Sequence, residues 1–374
     1  METRTKILML KAAVTKKVPV YVQFAVSNKC NLRCSMCNAL DSRKHERELG
    51  LSEIGRLADI LKELNVAILI LTGGEPLIRA DLAEIVGLFT ERGIEVRMQT
   101  NAILASEEKI EGLIRAGLKE VTISLDSLDP ERYDAITGVA GSWHKIIRGI
   151  ALFSRYLPKK GNMSGINAVV SRRNMEEIPV IIEFVTRIGF YCSLIPVHVS
   201  DAEDEFIVRK KSPGFDFKPE EYAGVDKLYE TIITMKRKGF KVHNSYRFLR
   251  ESREFLKGNK VNWRCASPFL YFSISPGGNF LPCVDISTSI SMLEGNFIER
   301  FRGQEFIKSV RERVKKCRGC MYACYPEVSF FCYDPRVFME RLTQGLMIFS
   351  SERKAFTYEE LLAIIEEIKQ KYAG

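Results

Sequence analysis

Residues 20–37 read VYVQFAVSNKCNLRCSMC, an apolar run rich in β-branched residues followed at once by three cysteines spaced C-x3-C-x2-C. Val20–Val26 has the composition of a buried strand. The same signature recurs outward along the chain, at Ala67–Leu71, Glu95–Gln99, Glu120–Leu125, Gly165–Val170 and Cys192–His198. Between these runs lie amphipathic stretches: Ser52–Leu64, Asp81–Glu91, Ser106–Ala116, Ser142–Tyr156 and Met175–Ile188. Ser52, Asp81, Ser106 and Asn174 stand where N-caps belong, and Gly93, Gly117 and Gly189 where such helices should stop. Apolar strands separated by helices imply parallel βα units with both sheet faces covered. Six units make an α/β fold that is either a doubly wound sheet or an incomplete barrel, and periodicity alone does not choose.

Past Ser200 the alternation breaks into a charged loop, Asp201–Glu205, and a Ser-Pro-Gly turn at 212–214. A long helix over Pro219–Lys238 and a strand near Phe240–His243 are expected next. From Trp263 to Cys332 the chain reads as loop-rich and holds six of the ten cysteines. Ser275-Pro-Gly-Gly278 between two apolar runs signals a hairpin. Helices near Pro335–Leu346 and Thr357–Tyr372 follow. The expected division is an amphipathic lead-in at 1–17, a barrel at 18–240, a cysteine-rich domain at 241–334 and C-terminal helices at 335–374.

The chain has 374 residues, 46% of them hydrophobic and 28% charged, as an ordinary globular protein has. No apolar run reaches the length of a membrane span. The Ile-Leu-Met-Leu run near the start lacks a small-residue cleavage site, so a cytoplasmic location is expected. In that compartment the cysteines should stay free, and their clustering favours metal. The formal charge of +9 is dispersed over Lys16-Lys17, Lys159-Lys160, Arg209-Lys210-Lys211 and Lys236-Arg237-Lys238. No aromatic residues interleave these groups as a nucleic-acid surface would require.

Cys30, Cys34 and Cys37 on one tight loop can ligate three irons of a cubane cluster and leave the fourth without a protein ligand. An electron carrier or a structural zinc site would want a fourth ligand close by. His45 is the nearest candidate, in a polar stretch that reads as surface. This spacing after the first strand of a βα series resembles the signature of the radical S-adenosylmethionine (SAM) superfamily. Ile70-Leu-Thr-Gly73-Gly74-Glu75-Pro76 at the end of the second strand is similar to that family's GGEP motif. Further matches follow in order: Thr100-Asn101, Ser124-Leu-Asp126, Asn167-Ala-Val169 and Arg172. The resemblance covers roughly residues 18–200 and implies an incomplete (βα)6 TIM-like barrel with a [4Fe-4S] cluster on Cys30, Cys34 and Cys37. It implies SAM contacts from Gly73, Gly74, Glu75, Pro76, Asn101, Ser124, Asp126, Asn167, Val169 and Arg172. Met36 stands where the family often has an aromatic residue beside the adenine. The implied chemistry is one-electron cleavage of SAM to a 5′-deoxyadenosyl radical, with a flavodoxin or ferredoxin as reductant, for hydrogen abstraction or addition.

Cys265 and Cys283 flank the hairpin, and Cys317-Arg-Gly-Cys320, Cys324 and Cys332 follow. On spacing alone this fits a zinc ribbon as well as an iron–sulfur site. Beside a radical SAM barrel it resembles the SPASM and twitch extensions, which implies a second, auxiliary [4Fe-4S] cluster. A full SPASM pattern has seven cysteines. Six are present here, and Cys265, Cys283, Cys317 and Cys320 are the preferred ligands. Cys324 and Cys332 either replace one of these or stay as buried thiols, and Cys192 reads as core.

The substrate is not written in these motifs. About thirty residues precede Cys30, too few for a winged-helix domain that grips a leader peptide, although a separate protein would serve. The lead-in helix and the Cys317–Glu327 segment are similar to radical SAM enzymes acting on hopanoids. A small molecule, sugar or lipid precursor is therefore favoured over a ribosomally made peptide. An iron–sulfur electron carrier without catalysis is the remaining alternative, and nucleic acid is disfavoured as a partner.

Overall fold

The computed structural model describes residues 3–42, 46–200, 207–209, 211–317, 319–350 and 352–373. His45, the Asp201–Glu205 loop and Lys210 lie outside them. In chain order the helices are α1 Thr3–Thr15, α2 Ala39–Ser42, α3 Leu51–Glu63, α4 Leu82–Thr90, α5 Glu107–Arg115, α6 Pro130–Thr137, α7 Ser142–Tyr156 and α8 Ile178–Arg187. They continue as α9 Tyr222–Arg237, α10 Tyr246–Leu256, α11 Phe297–Arg302, α12 Gln304–Lys315, α13 Cys324–Tyr333, α14 Pro335–Ser350 and α15 Tyr358–Ala373. The strands are β1 Tyr21–Ser27, β2 Ile68–Gly73, β3 Glu95–Thr100, β4 Glu120–Ser124, β5 Gly165–Val170, β6 Tyr191–Pro196, β7 Tyr271–Ile274 and β8 Phe280–Leu281.

Among the described residues one sheet runs β6-β5-β4-β3-β2-β1-β7-β8. Strands β1 to β6 pair in parallel, each with its sequence neighbour, which is the open (βα)6 barrel. Strand β7 extends the sheet past β1, with Tyr21 opposite Tyr271, and β8 turns back antiparallel on it. The cysteine-rich segment is thus joined to the barrel through its own sheet.

Because side chains alternate along a strand, each barrel strand serves two compartments. Val22, Phe24 and Val26 of β1 join Leu69 and Leu71 of β2 in the main core beneath the helices. Tyr21, Gln23 and Ala25, with Ile68, Ile70 and Thr72, point the other way into the lumen. The remaining strands continue the pattern, with Val121 and Ile123 in the core and Glu120 and Thr122 in the lumen.

Several local expectations are corrected. Ser52 is not a cap: α3 starts at Leu51, and the Gly50 N–H donates to Glu53 Oε2 at 3.1 Å. Asn174 precedes a 3-10 turn at Met175–Glu177 and makes no cap bond, because its side chain is committed elsewhere. Helix α6 sits where no helix was expected. The expected strand at 240–243 makes one parallel bridge, Val242 to Cys192, rather than a ladder. Gly93, Gly117 and Gly189 do take the left-handed φ that ends a helix.

Candidate functional site

The three-cysteine loop leaves the end of β1 and is pinned by backbone from two sides. The Gly74 N–H donates to Ser27 O at 2.8 Å and the Glu75 N–H to Lys29 O at 2.7 Å. The approach is so close that a Cβ on Gly74 would stand 2.0 Å from Lys29 O, and one on Gly73 2.3 Å from Ser27 O. Only glycine fits there. Opposite, the Arg33 and Ser35 N–H groups donate to Thr137 O and Ile136 O at the end of α6, each at 3.0 Å. Inside the loop the Cys37 N–H donates to Cys34 O at 3.1 Å.

Within this frame the three thiols influence one another electrostatically, although among the described residues no three Cys, His, Asp or Glu side chains are posed to hold a metal ion. Burial pushes the Cys30 thiol up to about 11, with Glu75 and Cys37 adding to it. The Cys34 thiol is raised too, by burial first and then by Cys37, Asp126 and Cys30. Asn101 leans over the loop: its amide donates to Asn31 Oδ1 at 2.8 Å and stands 3.9 Å from Cys30 Sγ.

The other expected residues sort into three groups. Gly73 and Asn167 line the lumen beside Cys37, and Ser124 is exposed opposite Asn167 in the ladder. Met36 is half-buried against the core. Glu75, Pro76 and Asp126 are buried and hold the frame. Glu75 Oε1 accepts from Thr100 Oγ1 (2.6 Å) and Leu77 N (3.0 Å), while its Oε2 accepts from Asn101 N (2.7 Å). Asp126 Oδ1 accepts from Val169 N at 2.7 Å, and burial pushes its carboxyl up to about 6. Arg172 is turned elsewhere, 2.6 Å from Glu221 in a side pocket with Arg132 and Arg173. Sequence reasoning missed Asn174, whose amide donates to Asp126 O and Val169 O at 2.7 and 2.8 Å and locks those two strand ends together.

From Cys37 and Gly73 a cavity of about 790 Å³ runs down the lumen to Leu10 of α1 and Leu342 and Leu346 of α14. Its walls are chiefly apolar, with ionic groups paired off. Arg97 is held by Glu95 at 2.7 Å and Glu120 at 3.0 Å, and Arg341 by Glu327 at 2.7 Å. Burial, then Arg341, Lys236 and Arg97, keep His243 well below its ordinary value and therefore neutral. Charged residues at strand starts, Glu95, Arg97 and Glu120, were the signal for this lining.

The C-terminal cysteines fall into two sets. Cys265, Cys283, Cys317 and Cys320 lie within electrostatic reach of one another: Cys283 is raised by burial and further by Cys265 and Cys317, and Cys320 by burial and further by Cys283 and Cys265. Their segments are tied by Arg311 to Cys265 O (2.7 Å), Trp263 Nε1 to Cys320 O (2.9 Å) and the buried pair Arg209–Asp285 (2.7 Å). Cys324 and Cys332 sit on α13. Gln23 Nε2 of β1 donates to Cys324 Sγ at 3.4 Å, and Cys332 is buried against α1 near Lys16. Cys192 is fully buried in the core. All ten cysteines are unpaired.

Residues 24–185 match the Radical SAM superfamily. The chain is 32% identical over 192 residues to an AdoMet-dependent heme synthase of Methanosarcina barkeri, covering 50% of this chain and 54% of that protein. It is 38% identical over 170 residues to a probable GTP 3′,8-cyclase of Archaeoglobus fulgidus (45% and 55%). Against a PqqA peptide cyclase of Granulibacter bethesdensis it is 30% identical over 176 residues (47% and 46%). The chain thus spans about half the length of the curated relatives it matches. Streptococcus suis SuiB bound to precursor peptide SuiA has a similar fold, with TM-score 0.61 and 18% identity over 82% of this chain and 70% of that one. So does anSMEcpe with bound AdoMet, with TM-score 0.59 and 17% identity over 95% of this chain and 98% of that one.

Proposed function

Because residues 24–185 of this chain are a radical SAM domain, we propose that the protein is an enzyme that cleaves SAM reductively at Cys30, Cys34 and Cys37 and acts on an apolar substrate in the barrel lumen. The residues fit the cofactors. The Cys30 and Cys34 thiols, raised by burial and then by neighbouring thiols and carboxylates, want a cationic partner before they ionise, which clustered iron supplies. The glycine turn beside them lets the backbone of Gly73 and Gly74 close onto Ser27 and Lys29 and so fixes the start of the cysteine loop. Bound there, the [4Fe-4S] cluster and SAM supply a one-electron cleavage able to attack an unreactive C–H bond or unsaturated carbon.

The chain's own groups then have distinct tasks. Gly73 and Gly74 present backbone to the ligand, and Met36, Asn101, Ser124, Asn167 and Val169 border it. Glu75, Asp126 and Asn174 are positioning residues that fix those strand ends, and Pro76 starts the turn. The lumen walls exclude water and orient the substrate. A flavodoxin or ferredoxin is the proposed reductant. A second [4Fe-4S] cluster is proposed on Cys265, Cys283, Cys317 and Cys320, with Cys324 and Cys332 left as thiols. The proposed domains are a barrel at 18–240 and a cluster domain at 241–334, flanked by the segments 1–17 and 335–374.

One observation carries the substrate class: the apolar cavity that begins at Cys37 and Gly73 and ends between α1 and α14. It suits an elongated small molecule such as a lipid precursor. A peptide is the second reading, favoured by the likeness to PqqA peptide cyclase. Anaerobically reconstituted protein with dithionite should form 5′-deoxyadenosine from SAM, and Cys34→Ala should form none above background. Retained cleavage in that variant contradicts the proposal. A lipid extract that stimulates cleavage where a peptide mixture does not supports the apolar substrate, and the reverse supports the peptide.

A further inference from the structure

Helix α1 is apolar on two sides. Leu8 and Ala12 pack inward with Val18, Val20 and Tyr325. A helix lying on a globular protein ordinarily turns polar residues outward, opposite that face. Here Ile7, Leu10 and Val14, spaced three and four apart, are instead 61, 58 and 74% exposed. Helix α14 repeats the arrangement. Val337 and Ile348 are buried, while Met339, Leu342 and Leu346 are 59, 48 and 72% exposed.

The two stripes share a cavity: Leu10 of the first and Leu342 and Leu346 of the second line the lumen cavity together. Single exposed apolar residues need no explanation, but two stripes that line one cavity make a patch. The charge beside it has one sign. Residues 3–17 hold Arg4, Lys6, Lys11, Lys16 and Lys17 and no Asp or Glu, and Lys6, Lys11 and Lys17 are exposed. Arg4 anchors the helix by donating to Val66 O at 3.0 Å and Gly93 O at 2.9 Å, so the patch is held against the strand-start end of the barrel. Glu340, the acidic residue of α14, lies 3.2 Å from Lys236.

We propose that α1 and α14 seat this chain on an anionic lipid bilayer, with the mouth of the lumen facing the acyl chains. An outward apolar stripe bordered by lysines is the pattern of a helix lying in the bilayer interface, where burial of the stripe and attraction to anionic headgroups act together. Among the described residues no helix is long and apolar enough to cross a membrane, so the attachment is peripheral. What enters the mouth rests on the apolar-substrate reading above, whereas the docking surface does not. An apolar substrate could then pass from the bilayer into the lumen without crossing water.

Sedimentation of the full reconstituted chain with vesicles tests this. At low salt at least about tenfold more protein should sediment with phosphatidylcholine vesicles containing phosphatidylglycerol than with phosphatidylcholine alone, and added salt should reverse the gain. The triple variant Ile7→Ser, Val14→Ser, Met339→Ser should lose the binding and keep its iron content and vesicle-free 5′-deoxyadenosine formation. Lys11→Glu should weaken binding to anionic vesicles only. The proposal is overturned if wild-type protein stays in the supernatant with both vesicles, or if the triple variant sediments equally. It is also overturned if light scattering shows a dimer that the triple variant breaks while vesicles never bind, since a second copy then covers the patch. SAM cleavage measured without vesicles keeps any of these failures separate from a failure of the proposed activity.

Discussion

The two cysteine groups of this chain are built in opposite ways. Cys30, Cys34 and Cys37 sit within residues 30–37 on one loop, half-exposed, beside the lumen and shaped by backbone from Gly74, Glu75 and the end of α6. Cys265, Cys283, Cys317 and Cys320 are gathered from separate segments and drawn together by Arg311, Trp263 and the Arg209–Asp285 pair. The first arrangement keeps a face open toward a cavity, as a site that must admit a ligand does. The second joins distant chain and offers four thiols, which leaves a cubane no open iron. The contrast is what the proposed division of labour rests on: radical chemistry at the first group, and electron transfer or bracing at the second.

The largest effect that would sharpen this division is expected from Cys317→Ala. Product formation should vanish while SAM cleavage, uncoupled from product, stays measurable by chromatography. Unimpaired product yield in a variant shown by iron analysis to lack the second cluster removes any redox role for that group. Next in size is the brace. Asp285→Ala takes the carboxylate from the buried Arg209 guanidinium, leaving a buried charge held by neutral groups such as Gly319 O at 3.2 Å, and should cost about 3–5 kcal/mol in denaturant unfolding. A near-neutral result would mean that the second group holds itself together without that pair.

Gly74→Ala probes the first group's dependence on backbone. With Lys29 O only 2.0 Å from the new Cβ, the loop must shift. About 2–3 kcal/mol of stability and the iron held by Cys30, Cys34 and Cys37 should be lost together. Iron retained at full occupancy would show that the glycine turn is not what shapes the loop. The smallest effect belongs to Cys332→Ala, which should leave iron content unchanged and cost only about 1 kcal/mol for a small buried side chain. A loss of iron there would bring α13 into the cluster and redraw the second group.

How much of this was legible in the sequence follows the same divide. The parallel strands announced themselves because burial on both faces demands continuous apolar runs, and the three-cysteine motif is contiguous, so spacing was enough to pick it out as a candidate metal site. Helix α6, over Pro130–Thr137, escaped notice because it is short and buries only Tyr133, Ile136 and Thr137. Asn174 read as a helix cap because its local context is that of one. Its partners, Asp126 and Val169, come near only when β4 and β5 align. Arg172 read as a SAM contact from its place in the motif order, but Glu221, far along the chain, claims its guanidinium. Six C-terminal cysteines gave no unique set of four, since spacing cannot say that Cys324 and Cys332 share a helix facing β1 and α1. The apolar stripes of α1 and α14 are visible residue by residue, but that they share one cavity is a fact of the fold.

Metal analysis of the triple variant Cys30→Ala, Cys34→Ala, Cys37→Ala bears most directly on the claim that one chain carries an open and a closed iron–sulfur site. Reconstituted wild-type protein should hold about eight irons and the variant about four, with no 5′-deoxyadenosine formed and no zinc bound. A variant that holds one zinc and no iron would contradict the account, making the second group a zinc ribbon and leaving the chain a single cluster.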